Sequence, residues 1–480
     1  MARASRPWSC VKGLPCGKHA QDARGAFPSG QMTSQSKASN STVSPARLAA
    51  FEILQRVEQG GAFASVLLAT QAEELQPNDR ALCHELVMGV LRRRLWLDRL
   101  ISHYSTRDSE RLDVAVLIAL RLGLYQLRFL SRVPASAAVN EAVNLVRRAR
   151  LRSAEPFVNA VLRRATREAD FDPATEIADP LQRLAVETSH PLWLIQRWVN
   201  DWGLDEAAAF AHANNEAAPT AFRIVNESVN QSVILDAFES AGVELLPSAI
   251  APGAWRTSGG SGLLQELARD GRIYFQDEGS QLVASIVGAR SGDCVLDVCA
   301  APGSKTTHIA DLKRAESFVV AGDLYDHRLR TVTAAARGQQ LTNVHCVALD
   351  ARHRLPFREA VFDRVLVDAP CTGTGTLRRN PEIRWRISAA DIEDLAGRQS
   401  RILLNAARMV KPGGRLIYST CSVEPEENEH VINRFIEQNA GFAALDLRVN
   451  SSLITSSGAA RLWPHRDGSD GFFIAAFERK

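Results

Sequence analysis

Two cysteines in this chain each follow an apolar run. Asp368-Ala-Pro-Cys371 comes after Phe362 to Val367, and Ser419-Thr-Cys421-Ser422 after Gly414 to Tyr418. Short apolar runs bounded by Gly and Pro read as strands. If the two strands are neighbours, both thiols stand at one sheet edge. A buried cysteine often serves packing alone. The pair has no nearby Cys or His at metal-ligand spacing, so no metal is expected. Paired thiols beside a cofactor would suit covalent chemistry on an unreactive ring. Carbon 5 of a cytosine is a poor nucleophile until a thiolate adds to carbon 6. A strand-end carboxylic acid bonded to ring nitrogen 3 would drive that addition. A second thiol would then assist expulsion of the first.

The cofactor side of such a site is expected in Cys294-Val-Leu-Asp-Val-Cys-Ala-Ala-Pro-Gly-Ser-Lys-Thr306. An apolar strand runs into a turn of small residues and leaves as a helix, the opening unit of a doubly wound fold. Small residues let backbone approach a ligand closely. A phosphate loop would place Lys305 after glycine, and it follows Ser304. A dinucleotide fingerprint needs three glycines, and only Gly303 is present. Three further apolar runs end in an acid, at Asp323, Asp350 and Asp368. Asp323 lies twenty residues past Gly303, the spacing at which a second-strand carboxylate meets ribose hydroxyls.

These residues need a scaffold, and alternating strands and helices from 281 to 480 supply an α/β Rossmann-like domain. Residues 44–170 read as all-α. Ser44-Pro45 opens a helix carrying Leu48, Phe51, Leu54 and Val57, closed by Gly60-Gly61. Asn78-Asp79 starts another, Asp113 to Leu130 is a strongly apolar one, and two more follow Pro134, at about 136–150 and 154–168. Residues 171–215 read as a helical connector with Trp193, Trp198 and Trp202 in its core. Residues 216–280 read as a small α+β module with strands near Pro219–Asn226 and Gly271–Asp277 and a helix at Val233–Gly242. Residues 1–43, rich in Ser, Gly, Gln and Lys, read as a disordered extension, with Met32 an alternative start.

The net charge of +3 is unevenly spread. Residues 1–43 and 44–170 each sum to +5, and the remainder to −7. A polyanion should therefore meet the N-terminal half. Fifty of the 57 basic residues are Arg, whose forked guanidinium suits phosphate. Arg147 and Arg148, in one of three Arg clusters of the helical region, are candidate RNA contacts. So are Arg378, Arg379, Arg384 and Arg386, which surround Trp385 in a basic loop with a stacking surface. Solvated helix faces are the plainer reading of each cluster. Eight cysteines without framework spacing, no secretory signal and no membrane-spanning apolar run indicate a cytoplasmic protein with free thiols.

Pro134, Val139-Asn-Glu-Ala-Val143 and Pro156-Phe-Val-Asn-Ala-Val-Leu162 resemble the NusB family of helical RNA-binding proteins. Asp297-Val-Cys-Ala-Ala-Pro-Gly-Ser-Lys-Thr306, Asp368-Ala-Pro-Cys-Thr-Gly-Thr-Gly375, Arg379-Asn-Pro-Glu-Ile-Arg-Trp385 and Ser419-Thr-Cys-Ser422 resemble the RNA cytosine-5 methyltransferases. The combined arrangement resembles the branch of that family acting on 16S ribosomal RNA. The resemblance implies S-adenosylmethionine as cofactor, Cys421 as nucleophile and Cys371 as the thiol that assists release. It implies that Asp368 and Lys305 orient the cytosine. Cys299, Ala300, Ala301, Pro302, Gly303, Ser304 and Lys305, with Asp323, Asp350 and Asp368, would line the cofactor site. Ser304 and Thr372 stand where the family has Gly and Ser. The expected partner is 16S ribosomal RNA, with neither DNA nor a membrane, and the expected state a monomer. The target base would be unstacked and flipped into the cleft. DNA cytosine-5 methyltransferases also use a Pro-Cys nucleophile, which would move the role to Cys371. A binding protein on a retired methyltransferase fold is the non-enzymatic alternative.

Overall fold

The computed structural model describes residues 43–72, 74–312 and 317–480. Apart from Val43, the expected disordered extension lies outside them. The N-terminal part is all-α, with helices at Pro45–Gly60, Ala64–Gln71, Pro77–Arg92, Arg94–Ser105, Val114–Phe129, Ala135–Arg148 and Glu155–Arg167. Gly61 ends the first helix in the left-handed conformation, which glycine adopts without a Cβ clash. The helix expected to start at Asn78-Asp79 begins at Pro77, whose fixed φ and missing N–H suit the first turn. Asp113 caps Val114–Phe129 by accepting from the Ala115 amide at 2.8 Å. That helix is buried from Ala115 through Gln126 and forms the centre of the bundle. Even Arg121 is buried there, paired at 2.7 and 2.8 Å with both carboxylate oxygens of Asp98.

Connector helices Pro180–Glu187, Leu192–Trp202 and Leu204–Ala213 follow. Trp198 is fully buried in their core, with Trp193 and Trp202 packed against it, and the same cluster takes in Leu377, Val423 and Trp463 from the catalytic half. The small module has strands β1 (Thr220–Ile224), β2 (Leu246–Pro247), β3 (Ala254–Thr257) and β4 (Ile273–Phe275), in the order β2-β3-β1-β4. Its first helix runs from Glu227 to Ser240, six residues earlier than expected, because Asn226 turns the chain directly out of β1 in the left-handed region. Strands β2 and β3 and the helix Ser261–Arg269 went unread. The two strands are too short to show an alternating pattern. The buried Arg223 on β1 anchors this module to the catalytic domain, donating to Asp311 at 2.7 Å and to Thr307 at 3.2 Å.

The catalytic sheet holds β5 (Cys294–Asp297), β6 (Phe318–Asp323), β7 (Val344–Ala348), β8 (Phe362–Asp368), β9 (Val410–Thr420), β10 (Phe442–Ala444), β11 (Ala460–Leu462) and β12 (Phe472–Arg479). The order is β10-β12-β9-β8-β5-β6-β7, with β11 pairing β12. Strands β5 to β9 are parallel and β12 runs antiparallel to β9. The helix Glu278–Val287 packs its buried face beneath this sheet with Val295, Leu366 and Ile417. The boundary expected at 280 therefore cuts a catalytic-domain helix. A long helix, Ala389–Ala407, covers β8 and β9 and had not been anticipated. Its start is sealed by a reciprocal capping box between Ser388 and Asp391.

Candidate active site

β8 and β9 are hydrogen-bonded neighbours with Asp368 opposite Ser419. Their following loops therefore leave from the same edge, and the Cys371 and Cys421 sulfurs lie 3.4 Å apart. Ser419 Oγ donates to Asp368 at 2.8 Å, and Lys305 Nζ donates to the other oxygen of Asp368 at 2.8 Å. Both loops are held rigidly. Glu427 accepts from the Thr372 amide and from Gln399, each at 2.9 Å, and Gln399 also donates to the Pro370 carbonyl. Gly375 donates to the Cys421 carbonyl at 2.9 Å and accepts from Gly471 at 2.7 Å. A Cβ at Gly375 would lie 2.2 Å from the Gly471 carbonyl oxygen, so only glycine permits this crossing. On the outer side, Arg197 pairs with Glu424, and Trp198 donates to the same carboxylate at 3.2 Å. The connector thus buttresses the Cys421 loop.

A cavity of about 370 Å³ opens at this edge. Cys299, Ala301, Asp323, Asp350, Asp368, Cys371 and Cys421 all line it, so the two thiols and three strand-end acids share one space. Leu324, Tyr325, Leu349 and Ile402 add apolar wall. Asp323 accepts from the amides of Ala301 and Tyr325, each at 3.2 Å. Two carboxylates beside apolar wall are a set of acceptors that fits a nucleoside bearing ribose hydroxyls and an amino-acid ammonium.

The hydrogen bond between the two sulfurs, and then burial, hold the Cys371 thiol well above the usual range. Burial would depress the Lys305 ammonium, yet Asp368 outweighs it and raises the group. Burial pushes the Asp297 carboxyl up to about 7 while it accepts from Thr306 at 2.7 Å. Asp350 is held well below the ordinary carboxylate range, chiefly by its hydrogen bond from Arg352.

Residues 284–478 match the family described as 16S rRNA methyltransferase RsmB/F, residues 44–167 the NusB family, and residues 190–258 an RsmF/B-like ferredoxin-like domain. The probable ribosomal RNA small subunit methyltransferase B of Bacillus subtilis is 34% identical over 90% of this chain and 98% of its own length. The Pseudomonas putida ribosomal RNA small subunit methyltransferase B is 33% identical over 89% and 97%. This chain belongs to the ribosomal RNA small subunit methyltransferase B family. The crystal structure of PH0851 is similar to nearly the whole of it, with a TM-score of 0.79, 26% identity, and coverage of 91% of this chain and 99% of that one.

Within this methyltransferase B-family chain, not every expected residue reaches the cavity. Of the loop 299–305, Cys299 and Ala301 line it. Ala300 is buried and Pro302 faces outward. Gly303, at φ +110, packs on the helix Asp326–Gly338, where a Cβ would meet the Val332 backbone at 3.0 Å. Its missing side chain thus serves helix packing. Ser304 is the first residue of the following helix.

The basic loop is a correction. Arg384 is fully buried and donates to the carbonyls of Thr188 and Ser189 and to Asn215 Oδ1, at 3.0 to 3.3 Å. Arg378 is buried against Asp470 at 2.7 Å, and Arg379 bonds Asp470 and Asp277. Arg94 lies over the Trp385 ring, and Arg386 donates to the carbonyls of Val57, Gly61 and Ala62. These groups stitch the helical domain and connector to the catalytic domain, and most of their guanidinium donors are spent on protein. Arg147 and Arg148 remain at the surface, Arg147 paired with Glu155 at 2.7 Å. The cavity residues Leu395, Arg398 and Ile402 were missed together with their helix, although Ser388-Ala-Ala-Asp391 carries a cap signature. Glu427 and Gln399 have no local signal, since their roles arise from tertiary contacts.

Proposed function

We propose that this protein methylates carbon 5 of a cytosine in 16S ribosomal RNA, using S-adenosylmethionine and a transient bond from Cys421 to carbon 6. The observation that carries the reading is the 3.4 Å approach of the Cys371 and Cys421 sulfurs on the wall of a cavity that also holds Asp323, Asp350 and Asp368. Asp323 and Asp350 would bind the ribose and amino-acid ends of the cofactor. S-adenosylmethionine supplies an electrophilic methyl group on a sulfonium.

The thiolate of Cys421 adds to carbon 6, and the ring electrons move onto carbon 5, which becomes able to take a methyl group. Asp368, on the cavity wall and joined to Lys305 at 2.8 Å, would hold a proton at nitrogen 3 while the negative charge develops. After methylation the carbon 5 proton passes to solvent water in the open cavity. The electron pair left behind restores the double bond and expels the Cys421 sulfur. Cys371, beside that sulfur, assists the departure. The protein acts on RNA as a monomer in the cytoplasm. No helix among the described residues is long and apolar enough to cross a membrane.

The test is transfer of labelled methyl from S-adenosylmethionine to deproteinised 16S rRNA, followed by mapping of 5-methylcytosine. One labelled cytosine is the expected result. Absence of label, or label on nitrogen or ribose, would overturn the reading.

A further inference from the structure

With the loop 378–386 committed to holding domains together, the RNA backbone must lie elsewhere. A second groove, of about 460 Å³, lies along the covering helix Ala389–Ala407 and is lined by Arg352, Arg401, Asn405, Arg408, Asn439 and Arg479, with no carboxylate in its wall. Arg401, Asn405 and Arg408 follow one another at spacings of four and three, which places them on one helical face. Arg401 and Arg408 are exposed and make no ion pair among the described residues. Arg479 is fixed at the groove by donating to the Val410 carbonyl, and Lys480 stands beside it, donating to the Ala440 carbonyl.

The groove adjoins the catalytic cavity, and Arg352 lines both. Arg398, one turn before Arg401, lines the cavity side. From Arg398 to Arg408 the helix advances about 15 Å, the reach of a few nucleotides of backbone. Arg352 and Arg398, at the cavity end, are paired with Asp350 and Asp394, whereas the arginines further along face no acid in the groove wall, an arrangement that suits a phosphodiester chain leaving the cavity.

We infer that this groove carries the phosphates flanking the target cytosine, with Arg401 and Arg408 as direct phosphate contacts. The inference rests on the methyltransferase reading but is tested by binding. Affinity of the full-length protein for a 16S rRNA fragment is measured across a salt series for wild type and R401E/R408E. At least tenfold weaker binding is expected, with the slope of log affinity against log salt reduced by about 1 to 2. S-adenosylmethionine binding, read by calorimetry, should stay unchanged. Wild-type affinity and slope in the variant would overturn the groove assignment. If the charge reversal lowers cofactor binding too, R401Q/R408Q is read by the same criteria. A wild-type protein with a groove-dependent slope but no methyl transfer would sink the catalytic reading and leave the groove standing.

Discussion

Two adjacent stretches use their arginines in opposite ways. The loop from Leu377 to Arg386 has four arginines and one acid, whereas the helix from Ala389 to Ala407 has two arginines and three acids, with Arg408 just past its end, so composition and Trp385 both favour the loop for RNA. In the structure the loop arginines turn inward and meet carbonyls, Asp277 and Asp470. Arg401 on the helix, and Arg408 just past its end, turn outward beside the catalytic cavity. An arginine takes its role from what surrounds its guanidinium. A buried one is kept where several fixed acceptors converge, because an unpaired buried charge is costly. An exposed one without an acid nearby keeps its donors for a ligand.

The sharpest way to break this contrast is to remove a loop arginine. Arg384→Ala should destabilise the protein by about 3 kcal/mol, since it leaves several buried acceptors unpaired. A lower chemical-denaturation midpoint reads this, and the salt slope for RNA should stay at the wild-type value. Asp470→Asn should cost less, about 2 kcal/mol, because Arg378 and Arg379 keep other partners. The helix pair R401E/R408E should change stability by no more than about 0.5 kcal/mol, so that its effect shows in RNA affinity alone. The smallest effect belongs to Arg148→Ala, a single exposed contact on the helical domain. It should weaken RNA binding severalfold and reduce the salt slope by less than about 1. A loop variant that altered the salt slope, or a helix variant that melted early, would erase the distinction.

The catalytic edge was legible in the sequence because its chemistry is local. Apolar runs ending in Asp323, Asp350, Asp368 and Ser419-Thr-Cys421 state both the strand and the residue at its tip. The fold class followed from similar local signals, and the NusB-like start from a family resemblance. What stayed hidden depends on contacts between distant segments. Glu427 grips Thr372 across 55 residues, and Arg384 reaches Thr188 across 196. No spacing rule marks either pair. Gly303 shows the same limit at close range, because its lack of a side chain admits Val332, a neighbour the turn sequence does not name. Strands β2 and β3 were missed because two to four residues cannot display a period.

The division of labour between the two sulfurs is tested most directly by trapping. Wild type, Cys371→Ala and Cys421→Ala are each incubated with 16S rRNA and S-adenosylmethionine, denatured and run on a gel that resolves RNA–protein adducts. Cys371→Ala should accumulate an adduct that survives denaturation, because release is impaired. Cys421→Ala should form none and transfer no methyl. An adduct in Cys421→Ala, with none in Cys371→Ala, would contradict the account.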